Sequence, residues 1–179
     1  VPTLTVGTVV WLASEVTFFA GLFGAYFTLR NASTEQWPPE GVELEVVVAA
    51  VFTLVLVSSS FTVHRATRSL EAGRTTEFQR WLLTTVLLGL VFLANQAREW
   101  RAVDFQLDSH PFGGAFFVMT GVHGLHVLGG LLAMAVLLGR SASPRFDERD
   151  ASAAEVVSAY WHFVDVVWVL MFATLFLVQ

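Results

Sequence analysis

Five ionisable side chains stand inside long apolar stretches of this chain: Glu15, His123, His126, His162 and Asp165. An ionised group at the centre of a bilayer costs roughly 2.5–3.5 kcal/mol on insertion scales, so each of these needs a partner or a task. His123 and His126 are three residues apart, as are His162 and Asp165, a spacing that puts both members of a pair on one face of a helix. A His–carboxylate contact would satisfy both groups, so the plainest chemistry is a polar network between helices. Two sharper chemistries compete with it. A b-type haem takes two imidazoles facing each other at one depth, and His123 or His126 with His162 offers that only after a displacement of about one helical turn. A proton path draws on mid-membrane carboxylates, but Glu15 stands without a ladder of further acids. The chain has no cysteine, which removes thiolate metal sites, iron–sulfur clusters and disulfides from consideration. His64 and His110 fall at the ends of apolar stretches, where an interfacial position is expected.

The elements that must position these residues are membrane helices. The 179 residues are 55% hydrophobic and 14% charged, with a mean hydropathy of +0.63. Soluble domains carry about 25% charged residues. Apolar stretches run over about 6–29, 46–63, 81–97, 112–138 and 156–178, and each can cross a hydrocarbon layer that takes about 20 residues. The fold class is therefore all-α, a polytopic bundle of five transmembrane helices in one membrane domain spanning 1–179. Trp37-Pro38-Pro39 marks irregular backbone between the first two spans. Pro111 signals the start of the fourth, and Ser152 with Glu155 forms a capping pattern ahead of the fifth.

The net charge of −5, with every basic residue an Arg scattered through loops, gives no footprint for nucleic acid. Arg65, Arg68, Arg74 and Arg80 follow the second span, and Arg140, Arg145 and Arg149 follow the fourth. Basic loops stay in the cytoplasm, so the N-terminus is expected inside and the C-terminus outside. Trp11 and Trp81 then sit near the inner boundary and Trp100 near the outer one, as interface anchors. A rise of about 1.5 Å per residue places Glu15, His162 and Asp165 in the inner half, His126 near the middle and His123 slightly outward. No signal-peptide pattern opens the chain, and a valine at position 1 leaves room for a longer native N-terminus.

Two packing features accompany these groups. In the first span Ala13, Thr17, Gly21 and Ala25 form a small-residue face suited to close helix approach. Glu15 lies nearly opposite, on the face of Phe18, Phe19, Leu22 and Tyr26, and is expected to point to lipid, a lipid-filled cleft or another subunit. The fourth span carries Gly113, Gly114, Gly121, Gly124, Gly129 and Gly130, which imply tight neighbours.

Four segments carry a resemblance. Ser14-Glu15-Val16-Thr17-Phe18-Phe19, Gln96-Ala97-Arg98-Glu99-Trp100, the run from Phe116 to Val127 (FFVMTGVHGLHV) and the run from Tyr160 to Trp168 (YWHFVDVVW) resemble, in order, motifs of subunit III of the haem-copper respiratory oxidases, the cytochrome c oxidase subunit 3 family. The resemblance covers nearly the whole chain. It implies an all-helical accessory subunit with no redox centre of its own, haem a, haem a3 and copper being expected in partner subunits. Implied partners are oxidase subunit I at the main interface, subunit II, phospholipid, and cytochrome c or a cytochrome c domain as electron donor. Glu15 takes the place of the family's reactive membrane carboxylate, and Arg140 that of a basic residue holding a lipid head group. Many members have seven spans, and this chain begins at what looks like their third, so another subunit would have to close the lipid cleft. A glutamate after Ser14 points to the cytochrome c branch rather than the quinol branch. The expected setting is the bacterial plasma membrane.

Overall fold

The computed structural model describes residues 3–34, 36–143, 146 and 148–178. Val1 and Arg145 lie outside the described residues, as does the side chain of Arg149. Five helices follow one another: α1 Thr3–Ala32, α2 Val46–Glu71, α3 Thr75–Ala102, α4 Pro111–Ser141 and α5 Glu148–Phe172, the last continued by a five-residue π-helical segment, Ala173–Leu177. All five are long and apolar enough to cross a membrane, and the described residues contain no strand.

Each helix runs past its apolar stretch because the flanking Arg, Glu and Gln are good helix formers that keep the hydrogen-bond ladder going after hydrophobicity ends. For this reason α3 starts at Thr75, well ahead of Trp81. The helix borders have local causes. Between α2 and α3, Gly73 takes a φ of 73° while Arg74 N–H donates to Ser69 O and Gly73 N–H to Leu70 O, a Schellman closure that reverses the chain in three residues. At α4, Pro111 occupies the first turn and His110 caps it, its Nδ1 accepting Gly113 N–H at 2.8 Å. His110, at the end of the span as expected, also caps the helix. The expected cap at Ser152 is corrected: α5 begins at Glu148, so Ser152 lies within the helix.

The helices α2, α3, α4 and α5 form a ring in which each packs on two neighbours, and α1 leans on the ring from outside against α4 and α5. Two tryptophans of α5, two turns apart, fill the ring. Trp161 donates to Ser59 of α2 at 2.8 Å and lies against Gly89 of α3 and Gly130 of α4, where an added Cβ would come within 2.9 and 2.7 Å of its ring. Trp168 donates to Thr53 of α2 at 2.9 Å, meets Phe92 of α3 edge-on at 4.7 Å and lies beside His123 of α4 at 5.0 Å. Four helices therefore meet at each indole.

Candidate functional site

The membrane-depth polar groups divide between two seams of the bundle and one interior position. On the α1–α4 seam, Glu15 Oε2 is 3.1 Å from His126 Nε2, and Glu15 Oε1 accepts from Trp11 Nε1 at 3.1 Å. His126 Nδ1 donates to Val122 O at 2.8 Å. With Nδ1 carrying its own hydrogen, the contact to Glu15 is a hydrogen bond only when a further proton sits between Nε2 and Oε2, which leaves the pair neutral as a whole. Tyr160 of α5 closes the group: its hydroxyl donates to His126 O at 3.0 Å and its ring stacks on Trp11 at 5.0 Å.

The expectation that Glu15 faces lipid, a lipid-filled cleft or another subunit is corrected. The face it shares with Phe19 and Tyr26 is the one α1 turns to the bundle, and the Glu15 side chain is 22% exposed. It is the small-residue face, Ala13, Thr17, Gly21 and Ala25, that is left open. Bulk decided this, since aromatic side chains fill the wide gap between α1 and the ring and gain more from burial than small ones do.

On the α2–α5 seam, the Ser60 hydroxyl donates to Asp165 Oδ2 and lies 2.8 Å from His162 Nδ1. The sequence suggested one polar network of His123, His126, His162 and Asp165, and the structure parts them, with His126 on the α1–α4 seam, His162 and Asp165 on the α2–α5 seam and His123 in neither. His123, although three residues from His126, turns into the ring between Phe92 and Trp168 and has no hydrogen-bond partner at either nitrogen among the described residues. Three residues fall about 60° short of a full turn, enough to send neighbours on a central helix to different partners.

Sequence reasoning missed Ser60, Ser59 and Thr53. The signal was there in Ser58-Ser59-Ser60, a hydroxyl run in mid-span, but hydroxyls can bond back to their own helix and so do not demand a partner. Ser59 and Thr53 do both, donating to Leu56 O at 2.5 Å and Ala49 O at 2.8 Å while accepting an indole N–H. Gln96 and Glu99 are also buried in α3, whereas Arg98 turns outward to Glu45. The tryptophans expected as interface anchors act between helices: Trp100 donates to Thr120 at 3.0 Å and covers Gly121, and Trp81 lies under Arg65.

Arg140, at the end of α4, pairs with Asp150 of α5 through two nitrogens, Nε to Oδ1 and Nη2 to Oδ2 at 3.0 Å, and its side chain stays 56% exposed. Two apolar hollows open sideways, one of about 250 Å³ between α1, α4 and α5 under Trp11 and Tyr160, the other of about 360 Å³ between α3 and α4 over Gly121 and Gly124.

Five apolar helices joined through buried hydroxyls, imidazoles and carboxylates define a multi-pass helical membrane protein. The family model for cytochrome c oxidase subunit III matches residues 2–178. A probable cytochrome c oxidase subunit 3 of Nocardia farcinica is 44% identical over 98% of this chain and 88% of its own length. The cytochrome c oxidase subunit 3 of Corynebacterium diphtheriae is 41% identical over the same shares, and that of Thermostichus vulcanus 38% over 96% and 85%. The chain belongs to the cytochrome c oxidase subunit III family. It is a haem-copper oxidase subunit III, as the motifs implied, and part of a complex with other oxidase subunits.

Proposed function

We propose that this chain is the accessory, non-redox subunit III of a proton-pumping aa3-type cytochrome c oxidase in a bacterial plasma membrane, with its N-terminus cytoplasmic and its C-terminus outside. It stabilises catalytic subunit I, contacts phospholipid and supports proton uptake or oxygen access, while haem a, haem a3 and copper reside in partner subunits. Subunit II belongs to the same complex, and cytochrome c or a cytochrome c domain supplies electrons. The observation that carries the reading is how the membrane-depth histidines are used: His126 holds α1 to α4, His162 holds α5 to α2, and His123 fills the ring interior. Each imidazole serves packing between helices.

Two further features support parts of this reading. In α1 only 6% of the apolar window is buried, and α4 carries an outward stripe of Val118, Leu125, Leu128, Leu132 and Val136, so the first and fourth helices offer the surface for subunit I. The side hollows suit acyl chains, and Arg140, exposed at the end of α4, is placed to meet a phosphate at the membrane surface.

The test begins with the complex purified from its native membrane in mild detergent. The reduced-minus-oxidised spectrum should show haem a, and oxygen uptake should follow reduced cytochrome c rather than quinol. After the subunit is stripped off, the absorption should stay with the partners. A haem band on the stripped chain would make it an electron carrier instead, and quinol-driven uptake would move it to the quinol branch.

A further inference from the structure

Leu54, Val57, Phe61, Arg65 and Arg68 recur at intervals of three and four residues, which aligns them along one side of α2. All five are exposed, and the packed side of the helix is that of Thr53, Leu56, Ser59 and Val63. From Val46 to Val63 the helix rises about 27 Å, close to the roughly 30 Å of a hydrocarbon layer. Arg65 and Arg68 stand about 3 and 8 Å beyond that apolar length, in the layer of lipid head groups.

Arg65 is held in place there. Its guanidinium carbon lies 5.0 Å from the ring centre of Phe61 and 5.6 Å from that of Trp81 of α3, contacts in which the aromatic faces attract and orient the cation. It has no anion. Arginines at other helix ends find one within the chain, Arg74 on Glu77, Arg98 on Glu45 and Arg140 on Asp150. Among the described residues neither Arg65 nor Arg68 makes an ion pair, although Glu71 follows Arg68 by three residues. Arginine does not lose its charge in a protein, so two fixed positive charges stand one turn apart with their N–H donors free.

We propose that this side of α2 binds an acidic phospholipid, whose phosphate bridges Arg65 and Arg68 and whose acyl chain lies along Phe61, Val57 and Leu54. The stripe has the order of the lipid itself, apolar through the hydrocarbon and cationic where phosphate begins. A zwitterionic head group would bring its own ammonium beside the two arginines, so the site favours a phosphodiester without one. It lies on a different helix from Arg140, and it rests only on the chain crossing a membrane, not on the electron donor or the oxidase branch.

The test uses the intact oxidase in phosphatidylcholine vesicles that contain a minor share of phosphatidylglycerol with a diazirine in its acyl chain. After illumination the labelled peptides are mapped and counted per retained subunit. Label should appear on α2 between Leu54 and Phe61, and the pair Arg65→Gln with Arg68→Gln should lower it about tenfold. Arg65→Lys with Arg68→Lys, which keeps both charges, should preserve most of it. Phosphatidylcholine carrying the same diazirine should label this segment weakly and to the same extent in all three proteins. Equal labelling by the two lipids, labelling unchanged by the glutamine pair, loss in the lysine pair as well, or no label on α2 because another subunit covers it would each overturn the proposal, whatever spectrum or donor the complex shows.

Discussion

Ser60 is the smallest residue of the membrane-depth polar set and the one on which two others depend. Its removal in Ser60→Ala leaves Asp165 and His162 Nδ1 without the hydroxyl they share, each unsatisfied group costing about 1–3 kcal/mol. We expect a lower thermal midpoint for subunit release from the purified oxidase, and Ser60→Thr, which keeps the hydroxyl, should recover most of it. Glu15 behaves differently. A glutamine at this position still accepts from Trp11 and still meets His126, so Glu15→Gln should retain oxygen reduction, measured as uptake by the assembled enzyme; abolition of turnover would make Glu15 an essential proton carrier. At this scale the sequence displayed the charged residues and concealed their partners. Glu15 and Asp165 stand out by type, whereas Ser60 is one hydroxyl in a run of three that differ only in the direction each faces.

The fourth helix shows how one motif divides between tasks. Gly130 carries no side chain because Trp161 occupies the space: an added Cβ would lie 2.7 Å from its ring. Gly130→Ala should therefore push α5 from α4 at a cost of about 1–3 kcal/mol, visible as a loss of assembled oxidase. Gly139 has nothing within 4 Å of an added Cβ, and Gly139→Ala should be neutral or gain up to about 1 kcal/mol from helix propensity. The glycine-rich pattern announced close packing but could not say where, since a glycine in a crowded slot and one in open space read alike. Helix borders follow the same logic: Gly73 and Pro111 are local signals and hold, while Ser152 has the right spacing for a cap and was overridden by the helix formers before it.

As a whole the molecule is a ring of four helices with a fifth laid against it. Its outer helix is tied at three heights, by Trp11 on Tyr160, by Glu15 on His126, and by Tyr26 and Arg30 donating to Thr174 O and Val178 O at 3.2 and 2.8 Å. The ring is closed around Trp161 and Trp168, whereas α1 has one packed face. In the stripped subunit in detergent we expect α1 to lose hydrogen-exchange protection before α5, and His126→Leu to speed that loss; uniform exchange across the two helices would contradict this arrangement.

The sequence by itself determined that the chain crosses a membrane five times, which family it belongs to, and which side chains are too polar for their surroundings. These follow from residue type and order along the chain, because hydrocarbon admits backbone only as helix and sets the length each helix must have. Only the tertiary structure decided which polar group meets which. A helix of given sequence can be turned about its axis, and a rotation of some 60° exchanges one neighbour for another. The bulk of Trp161, Trp168, Phe19 and Tyr26 set those rotations. With them came the split of one expected network into two seams, the enclosure of His123, and the turn of Glu15 towards His126.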